Sequence, residues 1–356
     1  MDQMGPHIHV VSPDVALKSL ETYELIGFDT DTATKMWKSF VHAPEDDDAP
    51  DTEFLDYARF QIEHTGVRDI DSLSDDWEEA MKRIGINASL RSSIMMPEFE
   101  DLRATLPAST GSLKLSKFAR QHIKKISGHQ PSYKEESASA PAPASTAQGA
   151  PLALDRCTMI WRACSRSSAE EFTNTDPSYL NLNPMSSAPG DFSGYTRLAS
   201  WTPQKETADR YATWLRYKVP IAEIAIIQVA IPETLIKSLS VAYLWSNGAP
   251  SEADRWRKIV WTSRRAQTIP RDLFDLERVD LWIGHIASGR YCNFVTMKDP
   301  SEIKDSDVLN INIDNTATKA IQWVFYTSHA RDVFCKGCAG KVWVHGLGRL
   351  LGGKME

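Results

Sequence analysis

A stretch rich in Ser, Ala and Pro, residues 127–154, interrupts the chain and limits what it can fold into. This composition lacks the periodic apolar residues that bury a core, so it predicts a mobile tether. A chain of 356 residues is also longer than one hydrophobic core usually organises. We therefore predict a small helical module over residues 10–126 and a second domain over residues 155–345.

Acidic charge is concentrated before the tether. The net charge is −7 overall, but −9 over residues 1–126 and +2 over residues 127–356. Neither part has the strong positive field of a general nucleic-acid binder, although basic side chains between residues 255 and 271 are compatible with a local basic groove. The acidic helical module is instead a candidate for recruiting a protein partner.

Composition narrows the class of protein. With 42% apolar and 24% charged residues, the chain has the make-up of a globular protein. It has no apolar run near the ~18 residues that cross a bilayer and no secretion signal at its start, so we expect no membrane partner. Five cysteines are too few and odd in number for a disulfide framework, which predicts the cytoplasm, with the nucleus as an alternative.

The spacing of apolar residues differs on the two sides of the tether. Helical spacing in the first part predicts helices over residues 14–23, 32–41, 54–64 and 74–84. Beyond the tether, short β-rich runs predict strands over residues 157–164, 223–231, 258–262, 280–286, 320–326 and 341–345. Helices are predicted over 167–172 and 205–216. Strands interspersed with few helices favour an α+β fold class.

Three segments of the second domain carry polar residues in apolar surroundings. Trp161 and Arg162 end a predicted strand, Ser200 and Thr202 precede a predicted helix, and Gln322 lies inside an apolar strand. Each has a structural interpretation: a salt-bridging arginine, a helix cap with Pro203 at the first helical position, and an edge strand facing solvent. Gln322 is the hardest to explain in this way, because a buried amide without partners costs about 1–3 kcal/mol.

Taken in order, these segments resemble the ADP-ribosyltransferase-like superfamily, particularly its divergent fungal and bacterial branches. The resemblance covers residues 155–335. It is carried by TMIWRAC (158–164), by GDFSGY (190–195) with LASWTP (198–203) and ADRYA (208–212), by VDLWIGHIA (279–287) and by AIQWVFYTSHA (320–330).

The resemblance implies a split β-sandwich that holds NAD, its substrate, in a crevice, with one key position on each of three strands. It places Arg162, Ser200 and Gln322 in the catalytic positions. It also implies that Arg162, Ser200 and Thr202 bind NAD, with Trp161 and Tyr195 as candidates for stacking on nicotinamide. Arginine suits this role because its fork of donors holds a diphosphate or ribose in a fixed geometry.

The chain departs from the active pattern at the third position. Gln322 replaces the expected Glu, and Ala320 stands where arginine-modifying members carry a second acidic residue. The alternatives left open are transfer of ADP-ribose to another acceptor, transfer to a nucleic-acid base, hydrolysis of NAD, and loss of catalysis with the fold kept for binding. The last includes a catalytically silent scaffold that acts through its helical module.

Two further features receive structural interpretations. Cys335 and Cys338 form a single CXXC, which without a second pair or a suitably spaced histidine is a weak zinc signal, so we expect no metal. His285 and His329 lie near the proposed sheet, and we interpret both as satisfied structural histidines.

Overall fold

A computed structural model describes twelve stretches of the chain, and residues 291, 292 and 295 by their backbone alone. The stretches are residues 19–42, 54, 57–58, 61–62, 77–104, 150–173, 178–186, 190–193, 196–219, 222–265, 267–289 and 291–347. Most of the predicted tether, residues 127–149, lies outside them, as does Tyr195.

The part before the tether is helical, as its spacing predicts. Its helices are α1 (Leu20–Leu25), α2 (Thr30–Val41), α3 (Trp77–Ile84), α4 (Ala88–Ile94) and α5 (Glu100–Arg103), with a 3-10 turn at Pro97–Phe99. Residues 54, 57, 58, 61 and 62 are helical as well. Helix α2 begins two residues before the predicted start, because the Asp29 carboxylate caps it by accepting a hydrogen bond from the Thr32 amide at 2.8 Å.

Beyond the tether the chain alternates strands and helices. The strands are β1 (Cys157–Ser165), β2 (Ser200–Trp201), β3 (Ile224–Pro232), β4 (Val241–Leu244), β5 (Leu281–His285), β6 (Asn310–Ile313), β7 (Thr316–Lys319), β8 (Ile321–Phe325) and β9 (Val342–Gly346). The helices are α6 (Arg166–Thr173), α7 (Lys205–Lys218), α8 (Glu233–Ser238), α9 (Pro250–Arg264), α10 (Tyr291–Thr296) and α11 (Ser328–Gly337). The fold is therefore a mixture of helices and open sheets, in agreement with the α+β prediction.

The strands form two larger sheets and a hairpin. The first sheet has the order β1–β3–β9 and the second has the order β2–β8–β5–β4, while β6 and β7 pair with each other. All pairings are antiparallel except that of β4 with β5. Strand β8 thus lies inside its sheet, so the edge-strand interpretation of Gln322 is wrong.

One predicted strand is wrong. Residues 258–262 (KIVWT) belong to helix α9, which begins with Pro250 at its first position. Trp256, Ile259 and Val260 are all buried, and their spacing of three and four residues puts them on one face of a helix. Packing of that face overrides the β-propensity of the Ile-Val-Trp run.

The apolar core has three parts. One fills the space between the two sheets and contains Ile160, Trp201 and Trp323. A second lies on the other face of the second sheet, where α9 packs against residues such as Trp282 and Val324. In the third part, the helices before the tether pack against α7 and the nearby strand residues.

The helical module is therefore packed onto the second domain. Trp77 and Trp214 meet edge to face, with ring centroids 6.3 Å apart, and the Lys218 ammonium lies 4.7 Å from the Trp214 ring centroid. Arg210 pairs with Asp101 at 2.6 Å. The tether thus separates two parts of the sequence that share one core.

Gly284, in strand β5, provides a test of how tightly the second sheet is packed. A Cβ added at Gly284 would lie 2.2 Å from the Leu244 carbonyl oxygen and 2.9 Å from Phe192, so Gly284→Ala is expected to reduce the free energy of unfolding by about 1–3 kcal/mol. The matched control is Gly346→Ala, whose Cβ would meet only the tip of Arg166 at 3.3 Å. Chemical denaturation checks the difference, and equal stability of the two variants would contradict it.

Candidate functional site

Arg162 lies inside strand β1 and reaches from the first sheet to the second. Its strand neighbours on the same face, Ile160 and Cys164, belong to the core between the sheets. The guanidinium donates from Nη1 to the Ser200 carbonyl oxygen, and from Nη2 to the Met185 carbonyl oxygen at 2.6 Å. Arg162 is therefore not a surface residue at a strand end.

The charge of Arg162 has no acidic partner among the described residues. Its two hydrogen bonds to described residues both go to carbonyl oxygens, and its buried Nε has no hydrogen-bond partner among those residues. Burial lowers the pKa of the guanidinium, yet arginine remains protonated in proteins. The nearby Cys164 thiol does not act as a counter-ion, because burial raises its pKa to about 12.

Ser200 and Thr202 make their contacts with Trp161 and Arg162 through backbone atoms. The Ser200 carbonyl accepts from Arg162, while Thr202 joins the two sheets through reciprocal backbone hydrogen bonds with Trp161 of 2.7 and 3.0 Å. The Thr202 hydroxyl accepts from the Gln204 amide at 3.2 Å. It supports the turn before α7, which begins at Lys205 rather than at Pro203.

Of the two candidates for stacking on nicotinamide, Trp161 is the one that the structure describes. Trp161 is adjacent to Arg162 on a strand, so its side chain lies on the opposite face, and it packs against the core formed with the helical module. Trp201 is buried between Phe172 and Phe334, with both ring centroids at 5.5 Å. Tyr195 lies outside the described residues.

Gln322 belongs to a different polar cluster. Its Nε2 donates to Asp191 Oδ2 at 2.9 Å and to the His285 carbonyl at 3.3 Å. Asp191 in turn pairs with Arg264 at 2.7 Å, and both side chains are almost completely buried. The Ala287 amide donates to Asp191 at 2.7 Å, and Arg264 donates to the Ala287 carbonyl at 2.7 Å.

The two polar groups lie on opposite faces of the second sheet. Trp323 faces the core between the sheets and Val324 faces the other side, so Gln322 shares the face of Val324. Arg162 enters from the first sheet, on the face of Trp323. The expected convergence of Arg162, Ser200 and Gln322 is thus not observed: Arg162 meets Ser200, while Gln322 points away.

The sequence interpretation missed Asp191 and Arg264 as partners. A signal existed for Arg264, because it follows the buried Trp256 and Val260 at intervals of four residues on helix α9. A charged residue on the apolar face of a helix requires a buried partner. Nothing in the sequence identified Asp191 as that partner.

The two cysteines of the CXXC motif are unlike reactive or metal-binding thiols. Cys335 and Cys338 are buried, and burial raises their pKa values to about 11 and about 12. Such thiols are poor nucleophiles. Within the described stretches, no group of three or more His, Cys, Asp or Glu side chains could hold a metal ion.

No described helix is long and apolar enough to cross a membrane. No family model, curated protein or solved structure matches this chain.

Removal of the Asp191 carboxylate tests whether the buried cluster is structural. Asp191→Ala leaves Arg264 buried without its partner and is expected to reduce the free energy of unfolding by about 3–5 kcal/mol. Asp275→Ala breaks the exposed pair of Asp275 with Arg255 and is expected to cost about 1 kcal/mol or less. Urea denaturation of both variants makes the comparison; an equal loss would show that the buried pair has no special role.

Proposed function

We propose that the domain of residues 155–345 is an ADP-ribosyltransferase-like split β-sandwich that binds NAD through Arg162 without consuming it. The observation that carries this proposal is the guanidinium of Arg162, which lies between two sheets with no acidic partner among the described residues. The protein would then be an NAD-binding protein that does not consume NAD.

The arrangement of strands supports the fold part of the proposal. The three segments that carry the resemblance lie on β1, β2 and β8. Strand β2 pairs with β8, Ser200 opposite Val324, and β1 meets the end of β2 through Trp161 and Thr202. One key position on each of three neighbouring strands is what the resemblance implies.

The chemistry of Arg162 supports an anionic ligand. A guanidinium in a low-dielectric site without a counter-ion is costly, and a phosphate group supplies both charge and acceptor oxygens. Nε has no partner among the described residues, and it is a donor suited to such an oxygen. Nη1 and Nη2 donate to the Ser200 and Met185 carbonyl oxygens, so a phosphate group of NAD would be held through Nε.

The position of Gln322 argues against turnover. Cleavage of the nicotinamide bond develops oxocarbenium character, which a nearby carboxylate stabilises. Gln322 is neutral, and its amide donates to Asp191 on the other face of the sheet. The Asp191 carboxylate is itself paired with Arg264, so it does not substitute for the missing Glu.

Two alternatives remain as competing hypotheses. Transfer of ADP-ribose or hydrolysis of NAD predicts release of nicotinamide. A scaffold that acts only through its helical module predicts no NAD binding at all. Under each of these hypotheses we expect the protein to be located in the cytoplasm or nucleus, since the four cysteines whose side chains the structure describes are free.

Calorimetric titration with NAD tests the proposal. Charge-assisted hydrogen bonds contribute about 1.5–3 kcal/mol each, so Arg162→Ala is expected to raise the Kd about ten- to a hundredfold. Arg162→Lys should bind with intermediate affinity, because lysine supplies charge without the fork. Arg156→Ala is the matched control, since this exposed side chain precedes the same strand, and its Kd should equal that of the wild type.

Release of nicotinamide, followed by chromatography, separates the hypotheses. We expect none from the wild type above the level of buffer alone. Release that disappears in Arg162→Ala would support the enzymatic alternative and overturn silent binding. Absence of NAD binding by wild-type protein with a cooperative melting transition would overturn the NAD proposal and favour the scaffold.

A further inference from the structure

Strand β4 lies at one end of the four-stranded sheet, whose order is β2–β8–β5–β4. It pairs in parallel with β5, with Val241 opposite Leu281. The Leu281 amide donates to the Ser240 carbonyl oxygen at 3.0 Å. In a parallel ladder every second residue of a strand bonds to the neighbouring strand, so Ser240, Ala242 and Leu244 bond to β5.

The backbone groups of the alternate residues point out of the edge of the sheet. The amides and carbonyls of Val241 and Tyr243 have no hydrogen-bond partner among the described residues. Leu239 and Trp245 continue this row at its two ends. The Leu239 amide and the Trp245 carbonyl bond within local turns, whereas the Leu239 carbonyl and the Trp245 amide have no partner in the described parts of the chain. The edge thus offers the amides of residues 241, 243 and 245 and the carbonyls of residues 239, 241 and 243.

This row of donors and acceptors is complementary to itself. A two-fold axis at Ala242 places an antiparallel second copy of β4 so that Val241 lies opposite Tyr243 of the other copy and Leu239 lies opposite Trp245. The first pair exchanges two hydrogen bonds, as hydrogen-bonded residues of an antiparallel ladder do. The second pair joins the remaining amide to the remaining carbonyl. Because the axis repeats each pair, every one of these backbone groups gains a partner.

The chain near β4 lacks the devices that prevent such pairing. Natural proteins protect an exposed sheet edge with charged side chains, with proline or with a covering segment. The sequence has no charged side chain between Lys237 and Glu252 and no proline between Pro232 and Pro250. Two copies therefore meet at this edge without burying a charge, although each chain carries a net charge of −7.

The side chains of β4 also favour a second copy. Val241 and Trp245 pack against the core between the two sheets, and Tyr243 shares their face of the strand. Tyr243 is 53% exposed and stacks on Trp245, with ring centroids 5.9 Å apart. In the paired arrangement Tyr243 lies beside Val241 of the second copy and diagonal to its tyrosine. The two aromatic stacks then meet, and the exposed rings are covered.

We propose that the protein forms a two-fold symmetric homodimer in which the β4 edges of two copies pair antiparallel about Ala242. The two four-stranded sheets join into one continuous sheet. Strand β2, which carries Ser200, lies at the far end of each sheet from β4. The dimer contact is therefore separate from the Arg162 site and does not depend on NAD.

Sedimentation velocity of the full chain over a range of concentrations tests the proposal. A contact made by one strand from each copy is at the small end of specific interfaces, so we expect a monomer–dimer equilibrium with a Kd of about 1–100 μM. Addition of NAD should leave this equilibrium unchanged.

Two variants at Tyr243 weaken the contact but spare the ladder within each copy. Tyr243→Pro removes an amide that points away from β5, and proline is tolerated at such an edge position, so the variant should fold but remain monomeric. Tyr243→Lys places two ammonium groups close to the axis and should raise the dimer Kd at least about tenfold. Phe274→Lys is the matched control, since Phe274 is an aromatic residue of similar exposure, 48%, outside this edge. Its dimer Kd should equal that of the wild type.

Disulfide crosslinking tests the register. Directly opposite residues of a non-hydrogen-bonded pair have Cα atoms about 4.5 Å apart, whereas diagonal neighbours are about 7–8 Å apart. A disulfide joins Cα atoms about 4.4–6.8 Å apart. Oxidised glutathione should therefore link two copies of Ala242→Cys, which meet at the axis, into a dimer on non-reducing electrophoresis. It should leave Tyr243→Cys and the wild type unlinked.

Three outcomes would overturn the homodimer. A wild type that stays monomeric throughout the concentration range would leave the edge to an extended peptide of another protein. A dimer that persists in Tyr243→Pro, in a sample with the melting transition of the wild type, would place the contact elsewhere. Faster linkage through position 243 than through position 242 would contradict the axis at Ala242.

Discussion

The buried ion pair between Asp191 and Arg264 joins five parts of the molecule: the loop that carries Asp191, helix α9, the helical module, the segment after β5 and strand β8. Arg264 ends α9 and donates to Ala104 in the helical module as well as to Ala287 beyond β5. Asp191 receives the Ala287 amide and the Gln322 amide. Because two desolvated charges are tolerated only when every donor and acceptor is matched, this pair fixes the positions of the loop, helix and strands that contribute to it.

The Asp191–Arg264 pair also determines which face of the second sheet the Gln322 side chain occupies. It commits Gln322 to the face that packs on α9, whereas Arg162 lies in the core between the sheets with no acidic partner in the parts of the chain that the structure describes. We propose that the face of Arg162 binds an anion, while the other face holds the structural ion pair of Asp191 with Arg264. At the end of the sheet, the His285 carbonyl oxygen accepts hydrogen bonds from Trp256 on α9 and Gln322 on β8, which links the buried pair to the end of strand β5.

Much of the local structure could be predicted. Strands β1, β3, β5 and β8 agree with the predicted strands to within one or two residues. Short runs of β-branched and aromatic residues favour strands, which is why these four could be predicted. The run at 258–262 failed because its apolar spacing serves a helix equally well and only packing decides between them. Of the predicted convergence of three side chains, Arg162 reaches Ser200, whereas Gln322 faces the other side of its sheet, since the face of a strand residue depends on register.

The sequence by itself predicts a tether over residues 127–154. It determined the helical and β-rich character of the described residues on either side and the identity of the polar residues in apolar segments, because these depend on composition and short-range periodicity. Tertiary structure alone decided which polar residues meet. The partners Asp191 and Gln322 are 131 residues apart, and Ser246 and Lys319 are 73 apart. Contacts over such separations depend on strand order and register, which chain-local patterns do not encode.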